Sequence, residues 1–438
     1  MTSKIALETR GWRTVLLESV MEAIIDYRGK SPQKSSSGVP LITAKIVKDG
    51  RILPAEEFIA PEDYDDWMRR GIPLRGDVVI TTEAPLGEVA QLDGRKVALA
   101  QRIIAIRGKS GVLDNTFLKF LLRSAPVQAS LRSRSTGTTV LGIRQSELRQ
   151  VSLSIPPFEE QRNIAHTLGT LDDKIELNRK MNETLEAMAR ALFKSWFIDF
   201  DPVRAKAEGR DPGLPARIAD LFPDSFQDSE LGQIPVGWRA GYLRDVAENP
   251  RRTINPNVIV KGTPYIALEH MPRESIALSS WENADAVESS KFAFKAGEVL
   301  FGKLRPYFHK VGVAPVDGVC STDIVVIAPK TAQWFGFVLG HASSHEFVGY
   351  ANAGSTGTKM PRTNWTDMSR YPVALPSEEL AQAFTTAIHP MIDRIITAIH
   401  ECRELAQIRD ALLPKLMSGE LRISTPDPTA EVNSGSRI

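Results

Sequence analysis

PPFEEQRNIAHTLGTLDDKIELNRKMNETLEAMARALFKSWFIDF, from Pro156 to Phe200, decides the fold of this 438-residue chain. Two prolines and a pair of glutamates make a helix entrance. About forty residues follow with no proline and a single glycine, Gly169. Apolar residues recur at spacings of 3 and 4: Leu168, Leu171, Ile175, then Leu185, Ala189, Leu192, Trp196. This is a heptad seam whose polar members are Asn178 and Asn182, residues suited to setting register. The other faces carry mixed charge (Asp172, Lys174, Arg179, Lys180, Glu186, Arg190). Such a helix is about 60 Å long, too long for one compact domain to cover, so it needs a partner helix.

The partner lies in the same chain, because the sequence is a tandem duplication. Ser135-Thr136-Gly137-Thr138 is matched by Ser355-Thr356-Gly357-Thr358, an offset of 355 − 135 = 220. The same offset carries Pro156 to Pro376, Glu159 to Glu379, Asp173 to Asp393 and Ala191-Leu192 to Ala411-Leu412. Upstream the register drifts by a few residues: Gly11-Trp12-Arg13 pairs with Gly237-Trp238-Arg239, and Gly76-Asp77-Val78 with Gly297-Glu298-Val299. Each copy has a Gly-Trp entrance and Val/Ile-rich strands. In the first copy these are 39–46, 77–82 and 98–106; in the second, 263–268, 298–301 and 323–327. A helix follows (115–131; 333–350), then the Ser-Thr-Gly-Thr loop, one more strand and the long helix. The second long helix spans 377–417 on a stripe of Ile388, Ile392, Ile395, Ile399, Cys402, Ala406, Leu412 and Leu416, with breaks or kinks expected at Pro390 and Pro414.

These readings divide the chain into a first head at 1–157, a long helix at 158–200 and a Pro/Gly/Asp-rich connector at 201–235. A second head at 236–376, a second long helix at 377–423 and a polar tail at 424–438, expected to be disordered, complete it. The fold class is α+β: two pseudo-symmetric α/β heads separated by two long helices paired as an antiparallel coiled coil. Antiparallel pairing buries both seams at once. Heads held up to about 60 Å apart match one to two turns of B-DNA, at about 34 Å per turn. The alternative on geometry alone is a coiled-coil scaffold that spaces two protein-binding adaptor heads.

Net charge is +1, so the global balance singles out no partner. Local charge is segregated: six bases against one acid between Lys119 and Arg149, and six acids with no base between Glu56 and Asp66. The two cysteines, Cys320 and Cys402, have no metal spacing and point to a reducing compartment. No run reaches the roughly 18 apolar residues of a membrane span, and the N-terminus has no apolar signal core, so no membrane is expected and the cytoplasm is the default. The chain lacks GxxxxGK[ST], GxGxxG and an Asn-Pro-Pro-aromatic motif, which counts against a nuclease motor or a fused methyltransferase. His341 and His345 lie four apart with no third ligand nearby in sequence, and read as surface or core histidines rather than a metal site.

The Pro156 to Phe200 stretch, continued through Asp-Pro-Val to Val203, resembles the central conserved region of type I restriction-modification specificity (S) subunits. LAQIRDALLPKLMSGELRI (Leu405 to Ile423) is similar to their distal conserved region. GEVLFGKLRPYFHKVGVA (Gly297 to Ala314), CSTDIVVI (Cys320 to Ile327) and AGSTGTKMPRTNWTDM (Ala353 to Met368) resemble their target recognition domains. The resemblance covers about residues 10 to 423. It implies a non-catalytic chain that binds no cofactor itself. It implies double-stranded DNA and two modification subunits as partners, the latter adenine-N6 methyltransferases using S-adenosylmethionine. Restriction subunits would add ATP- and Mg-dependent translocation and cleavage. Each head would read one half of a bipartite DNA sequence while the helices set the spacer.

For DNA contact the second head offers Lys303, Arg305, His309 and Lys310 as donors, with Tyr307 between them. The matching stretch of the first head, Thr81 to Glu88, is not basic, and Thr82 is its one candidate. The Ser-Thr-Gly-Thr loops expose backbone N–H groups suited to phosphate. Their candidates are Thr136 and Thr138 with Arg132, Arg134 and Arg144, and Thr356 and Thr358 with Lys359 and Arg362. A turn with a helix N-cap at Thr363 or Asn364 is an equally open reading of the second loop. Arg251 and Arg252 are further basic candidates. Phe193, Trp196, Phe197 and Phe200 either pack against the other helix and connector or, as the resemblance implies for this region, dock the modification subunit.

Overall fold

The computed structural model describes residues 11–27, 29, 31–357 and 359–423; Thr358, Lys30 and the 424–438 tail lie outside them. The chain divides into two units, Met1–Asp173 with Leu405–Ile438, and Lys174–Glu404.

The first unit centres on an antiparallel sheet in the order Met21–Asp26, Ile103–Gly108, Val78–Thr82, Leu86–Gln91. Both faces of its middle strands are covered, which is why those strands read as unbroken apolar runs. Val78, Ile80, Ile104 and Ile106 pack on Phe117 and Phe120. Val79, Ile103 and Ala105 face Val39, Leu41 and Ile59 instead. The helix expected over 115–131 is two, Asn115–Arg123 and Ala125–Ser133. Ser124 is extended (φ −66°, ψ 146°) and Pro126 lacks the N–H that a continuing helix would need. Ile164, Ala165 and Leu168 of the first long helix, Phe158–Phe197, share this core with Leu416 and Met417 of the second, Glu378–Met417.

The second unit repeats the plan. Its sheet runs Ala247–Glu248, Ile324–Pro329, Val299–Gly302, Val311–Val313, the same order by equivalent strands. Arg239–Tyr242 pairs with Pro372–Leu375 as Arg13–Leu16 pairs with Ser152–Ile155 in the first unit. Its helix is also split, into Phe335–Ala342 and His345–Ala353, with Ser344 accepting from the Phe347 N–H. Its second sheet has five strands where the first head's has three, both built on one parallel pair: Tyr265–Ile266 with Val319–Cys320, as Leu41–Ile42 with Ala98–Leu99.

The long helices pair antiparallel within each unit. In the first, Asp172 meets Arg409 at 2.8 Å. In the second, Cys402 Sγ contacts the Ile175 carbonyl at 3.6 Å, and Phe197 packs edge-on to Phe384 with ring centroids 4.9 Å apart. Of the heptad positions, Leu168, Ile175, Ala189, Trp196, Ile388, Ile392, Ile395, Ile399, Cys402 and Leu416 are buried, while Leu171, Leu185, Leu192, Ala406 and Leu412 are half-buried. Asn178 is 1 % exposed and donates to Glu401 Oε2 at 2.9 Å, so its amide is satisfied across the seam.

The structure refines three expectations. Pro390 and Pro414 do not break the second helix; both are exposed, so the carbonyls they release face water. The first helix stops at Phe197 because Phe200 turns left-handed (φ 55°) ahead of the helix Asp201–Ala207. Residues 201–235 connect the two copies as a packed segment, with Val203, Phe222 and Ile234 buried in the second unit's core.

Candidate nucleic-acid interface

In each head the Ser-Thr-Gly-Thr loop is clamped to the end of a central strand. In the first, Thr136 bridges Gly142, which also bridges Glu83, and the Ile143 N–H donates to the Thr82 carbonyl at 3.0 Å. In the second, Thr356 bridges Arg362, which also bridges Leu304, and the Thr363 N–H donates to the Lys303 carbonyl at 3.0 Å. Equivalent residues therefore make equivalent bonds: Thr82 matches Lys303, and Ala84 before Pro85 matches Arg305 before Pro306. Ala84 and Arg305 are both left-handed, at φ 49° and 51°. Glycine is needed at Gly137 (φ 110°), where an added Cβ would sit 2.1 Å from the Val140 carbonyl oxygen.

In the first head these segments enclose an open depression of about 300 Å³ lined by Thr82, Glu83, Thr136, Gly137, Val140, Gly142, Ile143 and Arg144. Arg132, Thr136, Thr138 and Arg144 are exposed around the loop. Arg134 is half-buried and turned to Glu147 at 3.2 Å. Thr82 is corrected: it is 2 % exposed and its hydroxyl donates to the Arg102 carbonyl, so only its backbone belongs to the site.

In the second head Tyr307, Thr356, Lys359 and Arg362 are exposed. Arg362 pairs with Asp323 at 3.2 Å, a contact soft enough at the surface to exchange for phosphate. Lys303 and Arg305 are half-buried, and Arg305 Nε is buried with no hydrogen-bond partner. Asn364, not Thr363, caps the next helix by accepting from the Asp367 N–H at 3.0 Å. Thr358 lies outside the described residues.

His309 and Lys310 are corrected. His309 is 5 % exposed and its Nε2 meets the Ser343 carbonyl at 2.9 Å. Burial pushes its pKa below the ordinary histidine value, only partly countered by that hydrogen bond. Lys310 gives its Nζ to the Leu268 carbonyl, and burial and then Arg273 push its ammonium pKa down. Arg252 grips Glu298 through two bonds of 2.7 and 2.8 Å, a structural pair.

Phe193, Trp196 and Phe197 are each 3 % exposed, inside the second unit's core with Phe337 and Phe384. They are therefore corrected as docking residues; Phe200 is half-buried against Phe226 and Trp238. His341 packs edge-on to Phe193 and Phe337, and burial pushes its pKa down to about 3, making it a core histidine. The exposed apolar side chains of the same helix are Leu177 and Met188, 61 and 48 % exposed. Eleven residues apart, they lie on one face. The heptad reading passed over them because it follows the seam.

Each unit thus joins a sheet-based head, carrying a bridged hydroxyl and cation loop, to paired segments of the long helices. Residues 10–187 match the family model for the type I restriction modification DNA specificity domain. The MjaIX specificity subunit of Methanocaldococcus jannaschii is 28% identical over 405 residues, covering 88% of this chain and 87% of that protein. The HindI specificity subunit of Haemophilus influenzae is 25% identical over 375 residues, covering 74% of this chain and 81% of its own. The crystal structure of a type I restriction-modification S subunit from M. genitalium shares the fold, with a TM-score of 0.55 at 12% identity over 95% of this chain and 97% of that one. No described helix is long and apolar enough to cross a membrane.

Proposed function

We propose that the chain is the sequence-reading subunit of a type I complex in which each head reads one half of a bipartite, asymmetric DNA site. The paired helices set the spacer and carry two modification subunits that methylate adenine N6 from S-adenosylmethionine. Restriction subunits add ATP- and Mg-dependent cleavage, and this chain supplies no catalytic group. The observation that supports this most is the twice-built loop: the same bridges hold Thr136 and Thr356 beside an exposed cation in both heads, while the surrounding side chains differ. A common clamp suits phosphate, which is the same in every sequence; divergent neighbours suit bases, which are not.

On the first long helix, Leu177 and Met188 are the residues proposed to dock a modification subunit. The reading is tested by titrating salt in electrophoretic shift assays of the chain with its modification subunit. Affinity falls linearly on log–log axes as phosphate contacts are lost. Binding that salt does not weaken, or an absence of binding, overturns it in favour of a protein scaffold. Leu177→Glu with Met188→Glu abolishes co-purification of a modification subunit while leaving the fold intact; undiminished co-purification refutes the docking assignment.

A further inference from the structure

Three segments of the second head converge on a metal-ligating trio that the nucleic-acid reading does not use. Glu274, His309 and His345 each bring one ligand atom within 4.8 Å of the others. They come from the loop before Ser275, the turn after Tyr307 and the first turn of the helix His345–Ala353. We propose that these three residues bind one divalent zinc-class cation, which ties the Tyr307 turn to the loop and to the helix.

The donor set selects the ion. Two imidazoles and a carboxylate suit zinc, whereas calcium and magnesium demand oxygen. His309 already holds the tautomer that a ligand needs. The Ser343 carbonyl can only accept, so the ring's Nε2 must carry the proton at their 2.9 Å contact. Nδ1 then keeps the lone pair, an arrangement in which the backbone carbonyl fixes the tautomer of a metal ligand. The His309 and His345 rings stand perpendicular with centroids 4.8 Å apart.

Backbone strain is concentrated at the same place. Glu274 and His309 are both left-handed, at φ 55° and 48°, and the Glu274 N–H donates to the His309 carbonyl at 2.9 Å. Two non-glycine residues held there together need a compensating interaction. The loop is anchored from below as well, since buried Glu186 accepts from the Ser275 hydroxyl and the Ile276 N–H at 2.8 and 3.0 Å.

With metal–ligand bonds of about 2.0–2.2 Å, ligand atoms in a tetrahedral site lie about 3.3 Å apart. The three ligand atoms already lie within 4.8 Å of one another, and rotation of the exposed Glu274 and His345 side chains about a fixed His309 brings them to the tetrahedral spacing. Three protein ligands leave one position for water.

The test uses the full chain, stripped with a chelator and titrated first with cobalt(II) alone and then with zinc, in the absence of DNA. One cobalt per chain gives visible d–d absorption that zinc displaces. His345→Ala and Glu274→Gln each weaken binding by at least about 10-fold, the lower figure for loss of an outer-shell partner alone. Both positions are exposed, and circular dichroism verifies folding of each variant. His389→Ala, which alters the exposed His389–Asp393 pair, leaves the titration unchanged. Identical titrations of wild type, His345→Ala and Glu274→Gln overturn the proposal, as does loss of the signal in His389→Ala.

Discussion

Replacing Asp172 by alanine removes the carboxylate on which three cations of the first unit converge. Lys119 Nζ and Arg409 Nη1 lie at 2.8 Å and Arg123 at 3.7 Å. The side chains are 16 % (Asp172), 9 % (Lys119) and 14 % (Arg409) exposed, so solvent screens little of the interaction. Burial alone would raise the Asp172 pKa, but Lys119 and Arg409 outweigh it and hold the carboxyl below its ordinary value. Deleting one partner of a buried ion pair costs about 3–5 kcal/mol, mostly from the charges left behind. At about 2–4 °C per kcal/mol for a unit of this size, the first unit's melting point drops by about 6–20 °C. Calorimetry, with hydrogen exchange of the strand Ile103–Gly108 as the reporter for this unit, measures it. Because the folded pKa is depressed, the stabilisation is present at neutral pH and is lost as pH falls below about 4 through the folded value; the gap between wild type and variant closes there. A variant within about 0.5 kcal/mol of wild type at pH 7 refutes the reasoning.

Gly340→Ala places a Cβ 2.1 Å from Phe193, which Phe197, Phe337 and Phe384 box in. Overpacking outweighs the gain in helix propensity, and urea denaturation shows a net loss of about 1–2 kcal/mol. Burial raises the Glu186 pKa despite its bonds to Ser275 and Ile276. Its stabilising share is therefore complete at low pH and lost as pH rises through the folded value. Glu186→Gln, whose one oxygen accepts from the Ile276 N–H while its NH2 donates to the Ser275 hydroxyl, removes the charge and gains on wild type as pH rises from 4 to 8 in denaturation midpoints; a pH-independent difference contradicts this. Lys359→Ala weakens binding at one half-site and Arg144→Ala at the other, each lowering the salt slope by about 1 in shift assays with half-site substitutions.

The duplication was legible because the repeated backbone needs particular residues at fixed places. Gly137 and Gly357 hold turns at positive φ, and the heptad positions meet one partner helix. The outward side chains obey no such rule. His309 and Lys310 look like solvent donors in FGKLRPYFHK, yet the turn at Arg305 and Pro306 swings them onto the Ser343 and Leu268 carbonyls. Thr82 is buried because it ends a central strand. Phe193, Trp196 and Phe197 satisfy both the seam and the head's core, and only packing reveals that no apolar face of theirs is left over. Glu274 lies 35 residues before His309, so no local spacing could have joined it to the histidines.

Methylome sequencing of cells carrying this chain and its modification subunit tests the two-headed reading most directly. Wild type yields one asymmetric pair of methylated half-sites with a fixed spacer, and a turn inserted within Leu171 to Asn182 changes the spacer while both half-sites stay the same. No chain-dependent motif, or an insertion that rewrites the half-sites, contradicts it.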